Sequence, residues 1–424
     1  MISAEVSLYD RILGYLSWDN SRDCAQFEYA SDWIAGGLSP APLMMPLRAG
    51  TIYSFPELRG ETFRGLPGLI ADALPDRYGR ELMKTYLELI GRKEENPLET
   101  LCYLGNRCMG ALEFRPAFER PCGAQFEISA LVDVAAEALL QKENFVTSFA
   151  EDKKKAVADI LSLSTSAGGQ RAKAVIAYNK LTGEVRSGQI DAPEGFSQYI
   201  IKLDGISAGS GLSATQNYGR MEWSFYKLAK SCGVNMADSF IIEENGRAHF
   251  VTERFDRRGN EKVHMQTLCA IAHYDFNLLR AYSWEQAFGV MRMLGLGYPD
   301  REELFRRIVL NTVIRNQDDH TKNVSFLMDR NGKWSLSPAY DVGYNYNPGG
   351  GWTARHQMSV QGKFEGILRR DLLSLADANG IKAAERIIDE VVDACAQWPS
   401  TAEGCGVPSE MIASRFENFE MLRH

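Results

Sequence analysis

Residues 316–323, Asn-Gln-Asp-Asp-His-Thr-Lys-Asn, are the stretch on which the interpretation of the whole chain depends. A helix-like run, LFRRIVLNTVIRN, precedes them, and a run typical of a β-hairpin with an Asn-Gly turn follows. Asp318 and Asn323 form the pattern D-x-x-x-x-N. A loop of this length can bring two groups together. One is a carboxylate that orients a hydroxyl, and the other is an amide oxygen that coordinates a metal ion. The pattern therefore predicts a phosphoryl-transfer loop with Asp318 as the catalytic residue.

The predicted hairpin is followed directly by Ser-Pro-Ala-Tyr-Asp, which ends at Asp341. The order of catalytic loop, hairpin and metal-binding aspartate is that of protein kinases. Carboxylate and amide oxygens suit Mg²⁺, so Asn323 and Asp341 are the candidate metal ligands. D-x-x-x-x-N alone is common by chance, and loop aspartates usually cap turns or helices, so the prediction depends on this context. The neighbouring Asp319 is an alternative to Asp318, which the spacing to Asn323 disfavours.

Towards the N-terminus, the strand-like run Tyr-Ile-Ile-Lys-Leu places Lys202 near the end of a strand. A lysine in this position can contact nucleotide phosphates, although a charge on an edge strand is the more common reason for one. Glu222, in the helix-like segment that follows, can pair with Lys202 as the helix glutamate does in protein kinases. The alternative for Glu222 is a solvated acid in the first turn of a helix.

A glycine-rich segment, Ser-Thr-Ser-Ala-Gly-Gly-Gln-Arg-Ala-Lys, spans residues 164–173. Two adjacent glycines allow backbone N–H groups to approach phosphates closely, although most such pairs are plain turns. The segment lacks the Gly-Lys-Ser/Thr ending of a Walker A motif. None of the six histidines has zinc-site spacing, and His320 is expected to act as a structural hydrogen-bonding residue rather than as a base.

The strand-like and helix-like residue patterns divide the chain into three predicted domains, residues 1–120, 121–255 and 256–424. The first alternates short strand-like runs, such as Glu5–Leu16, with turns, and has a helix-like run at Arg80–Ile90. The second has a helical pattern at 126–162 and is then mainly strand-like. Its runs AVIAY and QYIIKL are expected to pair in antiparallel fashion, and SFIIEE and HFVTERF to be joined by a turn at Asn245 and Gly246. The third is rich in helix. Together they predict an α+β, bilobal protein-kinase-like fold, with a β-rich N-lobe, a helical C-lobe and an additional small N-terminal α+β module.

Composition and charge exclude several classes of protein. The chain has 424 residues, 45% of them hydrophobic, which is enough to bury a sizeable core. A formal net charge of -8 argues against a chain that grasps nucleic acid through its overall field. Eight scattered cysteines without a C-x-x-C pair favour reduced, buried thiols. No signal peptide and no apolar run long enough to span a membrane is visible, so we expect a cytoplasmic protein.

Taken together, these stretches resemble the HipA family of serine/threonine kinase toxins. FRGLPGLIADALPDRYGR, residues 63–80, is similar to the N-terminal signature of that family. SAGGQRAK resembles its glycine-rich phosphate loop, and YIIKL its ATP-lysine strand. TERFDR, residues 252–257, resembles the segment that joins its lobes. NQDDHTKN and LSPAYDV resemble its catalytic and metal-binding loops. GGQRAK differs from the family's shorter GAQ-x-K, which leaves the roles of Arg171 and Lys173 open.

The resemblance implies a role for each matched residue. Asp318 is the catalytic aspartate, Asn323 and Asp341 hold Mg²⁺, and Lys202 contacts the ATP phosphates. The backbone groups of Glu253 and Phe255 bind adenine. The predicted loop over the phosphates consists of Gly168, Gly169 and Gln170. Members of the family also phosphorylate themselves just before this loop, and the candidate hydroxyl groups are those of Ser164, Thr165 and Ser166.

The resemblance also implies partners. The family phosphorylates protein targets, aminoacyl-tRNA synthetases among them, and acts with a small HipB-like helix-turn-helix antitoxin. The antitoxin reads the operator, so contact with DNA is expected only indirectly, through that partner, and no membrane contact is expected. Two other functions stay open from the residues alone. One is a pseudokinase that regulates transcription with a DNA-binding partner, and the other is a kinase acting on a small molecule.

Overall fold

The computed structural model describes residues 3–76, 79–80, 83, 96–116, 128–129, 132, 172–188, 191–207, 211–212 and 215–422. These residues group into two compact units. The first consists of Met1–Pro40, Met45–Gly219 and Ser239–Met265, and the second of Ala41–Met44, Arg220–Asp238 and Gln266–His424. Most of the helix-like runs at 80–90 and 126–162, and residues 164–171 of the glycine-rich segment, lie outside the described residues. The three predicted domain boundaries stay a prediction.

The first unit begins with a five-stranded antiparallel sheet. Its strands are β1 (Ser3–Leu8), β2 (Arg11–Asp19), β3 (Cys24–Tyr29), β4 (Ile52–Ser54) and β5 (Leu112–Arg115), in the order β4-β3-β2-β1-β5. Among the described residues it is accompanied by the helices α1 (Ser31–Gly36), α2 (Gly68–Ala71) and α3 (Pro97–Leu104), with a 3₁₀ turn at Pro56–Leu58. The expectation that Glu5–Leu16 is one strand is wrong. Tyr9 and Asp10 both have positive φ, 54° and 62°, and make a tight hairpin turn between β1 and β2.

A second five-stranded sheet in the same unit carries the predicted nucleotide-binding residues. Its strands are β6 (Lys173–Tyr178), β7 (Val185–Ser187), β8 (Ser197–Lys202), β11 (Ser239–Glu244) and β12 (Arg247–Glu253), in the order β11-β12-β8-β6-β7. The predicted antiparallel pairing of β6 with β8 is confirmed. The predicted turn at Asn245 and Gly246 is also confirmed, because both residues have positive φ, 46° and 76°. Shorter strands are β9 (Ile206–Ser207), β10 (Gly211–Leu212), β13 (Arg257–Arg258) and β14 (Glu261–Lys262).

Asp256 is the centre of a buried ionic cluster in this unit. Its carboxylate accepts two hydrogen bonds from the Arg254 guanidinium, at 2.9 and 2.7 Å, and one from Arg257 at 2.8 Å. The backbone N–H of Gly110 donates to it at 2.7 Å. Burial would raise the pKa of Asp256, but the two arginines outweigh burial and hold that pKa well below its ordinary value. The cluster therefore joins the segment TERFDR to the N-terminal part of the chain.

A second buried ion pair gives Lys173 a role that the sequence left open. Its Nζ lies 2.7 Å from Asp76 Oδ2, and both side chains are almost fully buried. Asp76 belongs to the Leu-Pro-Asp-Arg stretch of the N-terminal signature, and its other oxygen accepts a hydrogen bond from the Gly79 N–H at 2.7 Å. Since a buried charge requires a partner, this pair ties the signature to the first strand of the second sheet.

The second unit is mainly helical. Its helices are α4 (Tyr218–Ser231, whose first two residues belong to the first unit), α5 (Leu268–Ala272), α6 (Trp284–Met293), α7 (Tyr298–Val313), α8 (Arg369–Ala378), α9 (Ala384–Ala396), α10 (Trp398–Gly404) and α11 (Ser409–Phe416). Its short strands are β16 (Tyr282–Ser283), β17 (Ser325–Met328), β18 (Trp334–Leu336) and β19 (Met358–Ser359), and β15 (His264–Thr267) precedes α5. Trp398, fully buried, stacks on Phe225 with ring centroids 4.9 Å apart, which fixes α4 against α10.

The prediction of an α+β fold is confirmed by these sheets and helices. The seven cysteines among the described residues are buried and form no disulfide. Within the described part of the chain, no helix has both the length and the apolar composition that crossing a membrane requires.

Candidate active site

The loop after α7 is held by one buried amide. The helix ends near Val313, and Arg315 adopts a left-handed backbone conformation, with φ at 52°. Asn316, which follows, donates from its side-chain Nδ2 to Asn311 Oδ1 at 3.1 Å and to the backbone carbonyl of Asp341 at 3.2 Å. A single side chain thus connects the end of the helix, the start of the NQDDHTKN loop and the loop of Asp341. The two predicted loops are therefore adjacent.

Asn323 is oriented by the NQDDHTKN loop itself. It ends a 3₁₀ turn, Thr321–Asn323, and its Nδ2 donates to the backbone carbonyl of Asp318 at 2.7 Å. The amide nitrogen is thereby occupied, which leaves the amide oxygen as the acceptor of that side chain. An amide oxygen fixed in this way is a suitable ligand for a hard cation.

Asp341 follows the β17–β18 hairpin and has a left-handed backbone, with φ at 52°. This conformation is uncommon for residues other than glycine and persists only where surrounding contacts enforce it. Here the Asn316 amide holds the Asp341 carbonyl, and Ala339, two residues earlier, donates its N–H to the Asn235 carbonyl at 2.7 Å. The strained turn is thus fixed from both sides.

The two adjacent aspartates of the loop have different surroundings. The Asp319 side chain is 1% exposed, and it accepts from His356 Nδ1 at 2.8 Å and from the Gln357 N–H at 2.7 Å. The Asp318 side chain is 39% exposed, and its Oδ1 accepts a hydrogen bond from Trp352 Nε1 at 2.5 Å. Both oxygens of Asp319 therefore serve the fold, whereas Asp318 remains accessible to a substrate. The geometry therefore favours Asp318 over Asp319 as the candidate catalytic aspartate, as the spacing to Asn323 does.

The electrostatics of the loop are those of a crowded, partly buried set of carboxylates. Burial raises the pKa of Asp318, the negative charges of Asp341 and Asp319 add to that effect, and His320 and Trp352 oppose it. Burial lowers the pKa of His320, against the pull of the Asp318 and Asp341 carboxylates. A cation beside these carboxylates would oppose the rise in the pKa of Asp318 that the charges of Asp341 and Asp319 cause.

His320 does not act as the structural hydrogen-bonding residue that we expected. Its Nε2 lies 3.8 Å from Asp318 Oδ1, beyond hydrogen-bond distance, and its buried Nδ1 has no partner among the described residues. The ring packs instead against Phe276, with centroids 5.0 Å apart, and near Trp352, at 6.1 Å. His320 therefore forms part of an aromatic wall around Asp318.

Comparison with known proteins identifies the family. Residues 165–398 match the model of the HipA-like C-terminal domain, and residues 4–115 match that of the HipA N-terminal domain. The chain belongs to the HipA family of protein kinases. The serine/threonine-protein kinase toxin HipA of Shewanella oneidensis is 22% identical to it over 365 residues, which cover 80% of this chain and 75% of that protein.

A solved structure supports the fold assignment. A chain in the complex of HipA, HipB and operator DNA from the toxin–antitoxin system of Shewanella oneidensis MR-1 matches with a TM-score of 0.67 at 17% identity. The match covers 99% of this chain and 96% of that chain. The fold is therefore that of HipA kinases, as the sequence predicted.

The other predicted site residues that the structure describes belong to both units. Lys202 ends β8 and Glu253 ends β12, in neighbouring antiparallel strands of the first unit. Lys202 lies opposite Phe250, three residues from Glu253, and Phe255 follows β12. Glu222 lies near the start of α4, in the second unit. The pairing of Glu222 with Lys202 stays a prediction.

Six further predicted residues lie outside the described part of the chain. They are the loop residues Gly168, Gly169 and Gln170 and the phosphorylation candidates Ser164, Thr165 and Ser166. Their roles stay predictions that rest on the resemblance.

Three residues that bond to Asp318 or Asp319 were not found from the sequence. Trp352 bonds to Asp318, and His356 and Gln357 bond to Asp319. All three belong to the segment that follows Asp341, which carries no helical or strand periodicity. The one available signal was a tryptophan directly after three glycines, and residue pattern alone gives that feature no chemistry.

Proposed function

We propose that this chain transfers the γ-phosphoryl group of ATP to a serine or threonine hydroxyl of a protein, with Asp318 as the catalytic carboxylate. One observation carries the proposal. Asn323 is pinned to the Asp318 carbonyl beside an accessible Asp318 carboxylate, while the neighbouring Asp319 is fully engaged in the fold. This is the arrangement that a phosphoryl-transfer loop requires.

The reaction follows from these positions. The Asp318 carboxylate orients the substrate hydroxyl and accepts its proton. The substrate oxygen forms a bond to the γ-phosphorus as the bond from that phosphorus to the β,γ-bridging oxygen breaks, and ADP leaves. Little covalent chemistry falls to the protein, so the main contributions are positioning and electrostatic stabilisation.

Asn323 and Asp341 fit Mg²⁺. Both offer hard oxygen donors, and two protein ligands suffice because Mg²⁺ usually keeps waters and substrate phosphates in its coordination shell. When bound, the ion neutralises charge on the phosphates. The negative charge of Asp341 contributes to the raised pKa of Asp318, and a cation at this position would offset that contribution.

The second sheet offers a complementary set of groups for the nucleotide. We propose that Lys202 contacts the phosphates and that the backbone of Glu253 and Phe255 binds adenine. Lys202 and Glu253 are three residues apart in register on neighbouring strands, about 10 Å at the usual rise per residue. That separation supports one nucleotide lying along the two strands, with the loop of Gly168, Gly169 and Gln170 over its phosphates and Glu222 orienting the lysine.

The two lysines at the end of this sheet allow a matched test. Lys202→Met is expected to raise the Kd for Mg·ATP at least about tenfold while leaving the melting temperature nearly unchanged, because a phosphate contact is lost. Lys173→Met is the control, since it removes the buried partner of Asp76 and should lower the melting temperature instead. Titration with a fluorescent ATP analogue and thermal unfolding measure the two effects. Equal ATP affinity in wild type and Lys202→Met would exclude the phosphate role.

The test of the proposal is labelled-phosphate transfer. Purified protein incubated with Mg²⁺ and γ-labelled ATP is expected to incorporate phosphate, and both EDTA and Asp341→Asn should abolish the incorporation. Mass spectrometry of residues 155–180 should then place the phosphate on Ser164, Thr165 or Ser166. Phosphate adds a charge of about −1.5 to −2, which we propose displaces the glycine-rich loop and stops the kinase. ATP binding without any transfer would instead support the pseudokinase alternative.

We further propose that the chain is the toxin of a toxin–antitoxin pair in the cytoplasm, and that an aminoacyl-tRNA synthetase is a candidate target. The relative in Shewanella oneidensis is a toxin by name. The solved structure that this chain matches is a complex of HipA, HipB and operator DNA. A net charge of -8 on this chain supports DNA contact through a HipB-like helix-turn-helix partner rather than directly. Retention of a labelled operator by the toxin alone, without the antitoxin, would contradict this division of roles.

A further inference from the structure

The hydrogen bond between Trp352 and Asp318 involves only one side of the carboxylate. Trp352 Nε1 donates to Oδ1 at 2.5 Å. The other oxygen, Oδ2, has no hydrogen-bond partner among the residues that the structure describes, and 39% of the side chain is exposed. An ionised carboxylate can accept about four hydrogen bonds, so one indole N–H leaves ample capacity for a substrate hydroxyl.

The indole of Trp352 is itself held in place on several sides. The edge of its ring meets Phe276, with centroids 6.5 Å apart, and its backbone carbonyl accepts from Gln357 Nε2 at 2.6 Å. The carbonyl of Gly351, just before it, accepts from Arg280 at 2.9 Å. Gln357 also donates its N–H to Asp319. The segment that carries Trp352 is therefore hydrogen-bonded to both aspartates of the 316–323 loop, Asp318 and Asp319.

We propose that Trp352 is a positioning residue for the catalytic aspartate, which fixes the Asp318 carboxylate through Oδ1 so that Oδ2 receives the proton of the substrate hydroxyl. This inference rests on the proposed phosphoryl transfer. It assigns to the segment after Asp341 a direct part in ordering the reacting groups.

The chemistry of an indole suits this task. A lysine or arginine at Oδ1 would also orient the carboxylate, but its positive charge would sharply reduce the ability of Asp318 to accept a proton. The indole N–H is a neutral donor without acceptor capacity, so it fixes direction at a smaller loss of basicity. The titratable groups that influence the pKa of Asp318 are His320, Asp341 and Asp319.

The alternative role for Trp352 is that of a plug that keeps substrates away from Asp318. A plug would cover the carboxylate, and here the side chain stays more than one-third exposed with Oδ2 unengaged within the described residues. The two roles predict opposite effects when the N–H is removed. Positioning predicts a slower reaction, and a plug predicts a faster one.

Trp352→Phe keeps a packed ring and removes the donor. We expect kcat for ADP release and for labelling of the chain with γ-labelled Mg·ATP to fall about tenfold to a hundredfold, with the KM for ATP changed less than about twofold. Trp334→Phe in β18 is the matched control and should leave kcat unchanged. In an Asp318→Asn background, Trp352→Phe should cause no further loss, because the proton-accepting carboxylate through which Trp352 acts is already gone. A merely structural tryptophan would give additive losses.

A second readout does not depend on activity. In protein labelled with ¹⁵N-tryptophan, the indole resonance that Trp352→Phe removes should shift in Asp318→Asn, because an amide oxygen is a weaker acceptor than a carboxylate. An unshifted resonance, an unchanged or raised kcat in Trp352→Phe, or additive losses in the double variant would each overturn the inference. A wild type that binds ATP but transfers no phosphate would overturn the proposed function instead, and the resonance would still test the contact.

Discussion

Asp318→Asn is expected to lower kcat for phosphoryl transfer by about 10²–10⁴-fold while leaving the melting temperature within about 2 °C of the wild type. Asparagine has the same shape as aspartate, and its amide oxygen can still accept from Trp352 Nε1. The contact from Asn323 is also preserved, because it is made to the backbone carbonyl of residue 318. The variant loses only the negative charge and the ability to take up a proton. Single-turnover labelling with γ-labelled ATP measures the loss.

Asp319→Asn is the matched control for this experiment. Asp319 is buried and bonds to His356 and to the Gln357 N–H, so its replacement should reduce stability rather than act on the chemical step alone. A lower melting temperature with measurable turnover is expected. If Asp318→Asn retained near-normal turnover while Asp319→Asn lost it, the assignment of the two aspartates would have to be exchanged.

Asp256→Ala is expected to lower the free energy of unfolding by about 3–5 kcal/mol. The change leaves the buried guanidinium of Arg254, and part of that of Arg257, without a counter-charge, and leaves the Gly110 N–H without its acceptor. Urea denaturation at pH 7 followed by circular dichroism measures the effect. Glu61→Ala is the control, because Glu61 pairs with Arg80 at an exposed position and its loss should cost less than about 1 kcal/mol.

The acid dependence of this effect has a defined sign. The pKa of Asp256 is depressed in the folded chain, so the stability that its charge contributes is fully present above the ordinary aspartate pKa of 3.8 and is lost as the pH falls through the folded value. The difference in unfolding free energy between wild type and Asp256→Ala should therefore be constant from pH 7 to about pH 5 and shrink below about pH 4. A difference that is small at pH 7 would show that the cluster does not stabilise the fold.

Local patterns were sufficient to predict several elements of the second sheet. The apolar runs in Lys173–Tyr178 and Ser197–Lys202 and the Asn-Gly turn at residue 245 each predict an element directly, and the structure contains all three. The hairpin inside Glu5–Leu16 was missed, because Tyr9 and Asp10 adopt positive φ without a glycine to signal the turn. Tertiary context outweighs local preference at that point.

The catalytic loop illustrates where prediction from sequence ends. D-x-x-x-x-N is a local spacing, so Asp318 and Asn323 could be predicted. Asp341 could be predicted because it directly follows the predicted hairpin. The partners that distinguish Asp318 from Asp319 are Trp352 and His356, more than thirty residues further along in an irregular segment. Contacts of that range depend on how the loop folds back, which neither periodicity nor propensity encodes.

The buried cluster at Asp256 also bears on how the chain can be divided. The match to the N-terminal family model ends at residue 115, and the match to the C-terminal model begins at residue 165. The interval suggests a point at which the chain could be shortened. Yet Arg257 donates to the Cys108 carbonyl, Lys262 bonds to Glu113, and the Tyr9 hydroxyl accepts the His264 N–H. A fragment that begins after residue 120 would expose these groups to water and leave Asp256 without its backbone donor. Residues 3–116 thus supply the partners of polar groups at 254–264, so we expect a chain shortened at this apparent domain border to lose stability rather than to yield an independent kinase.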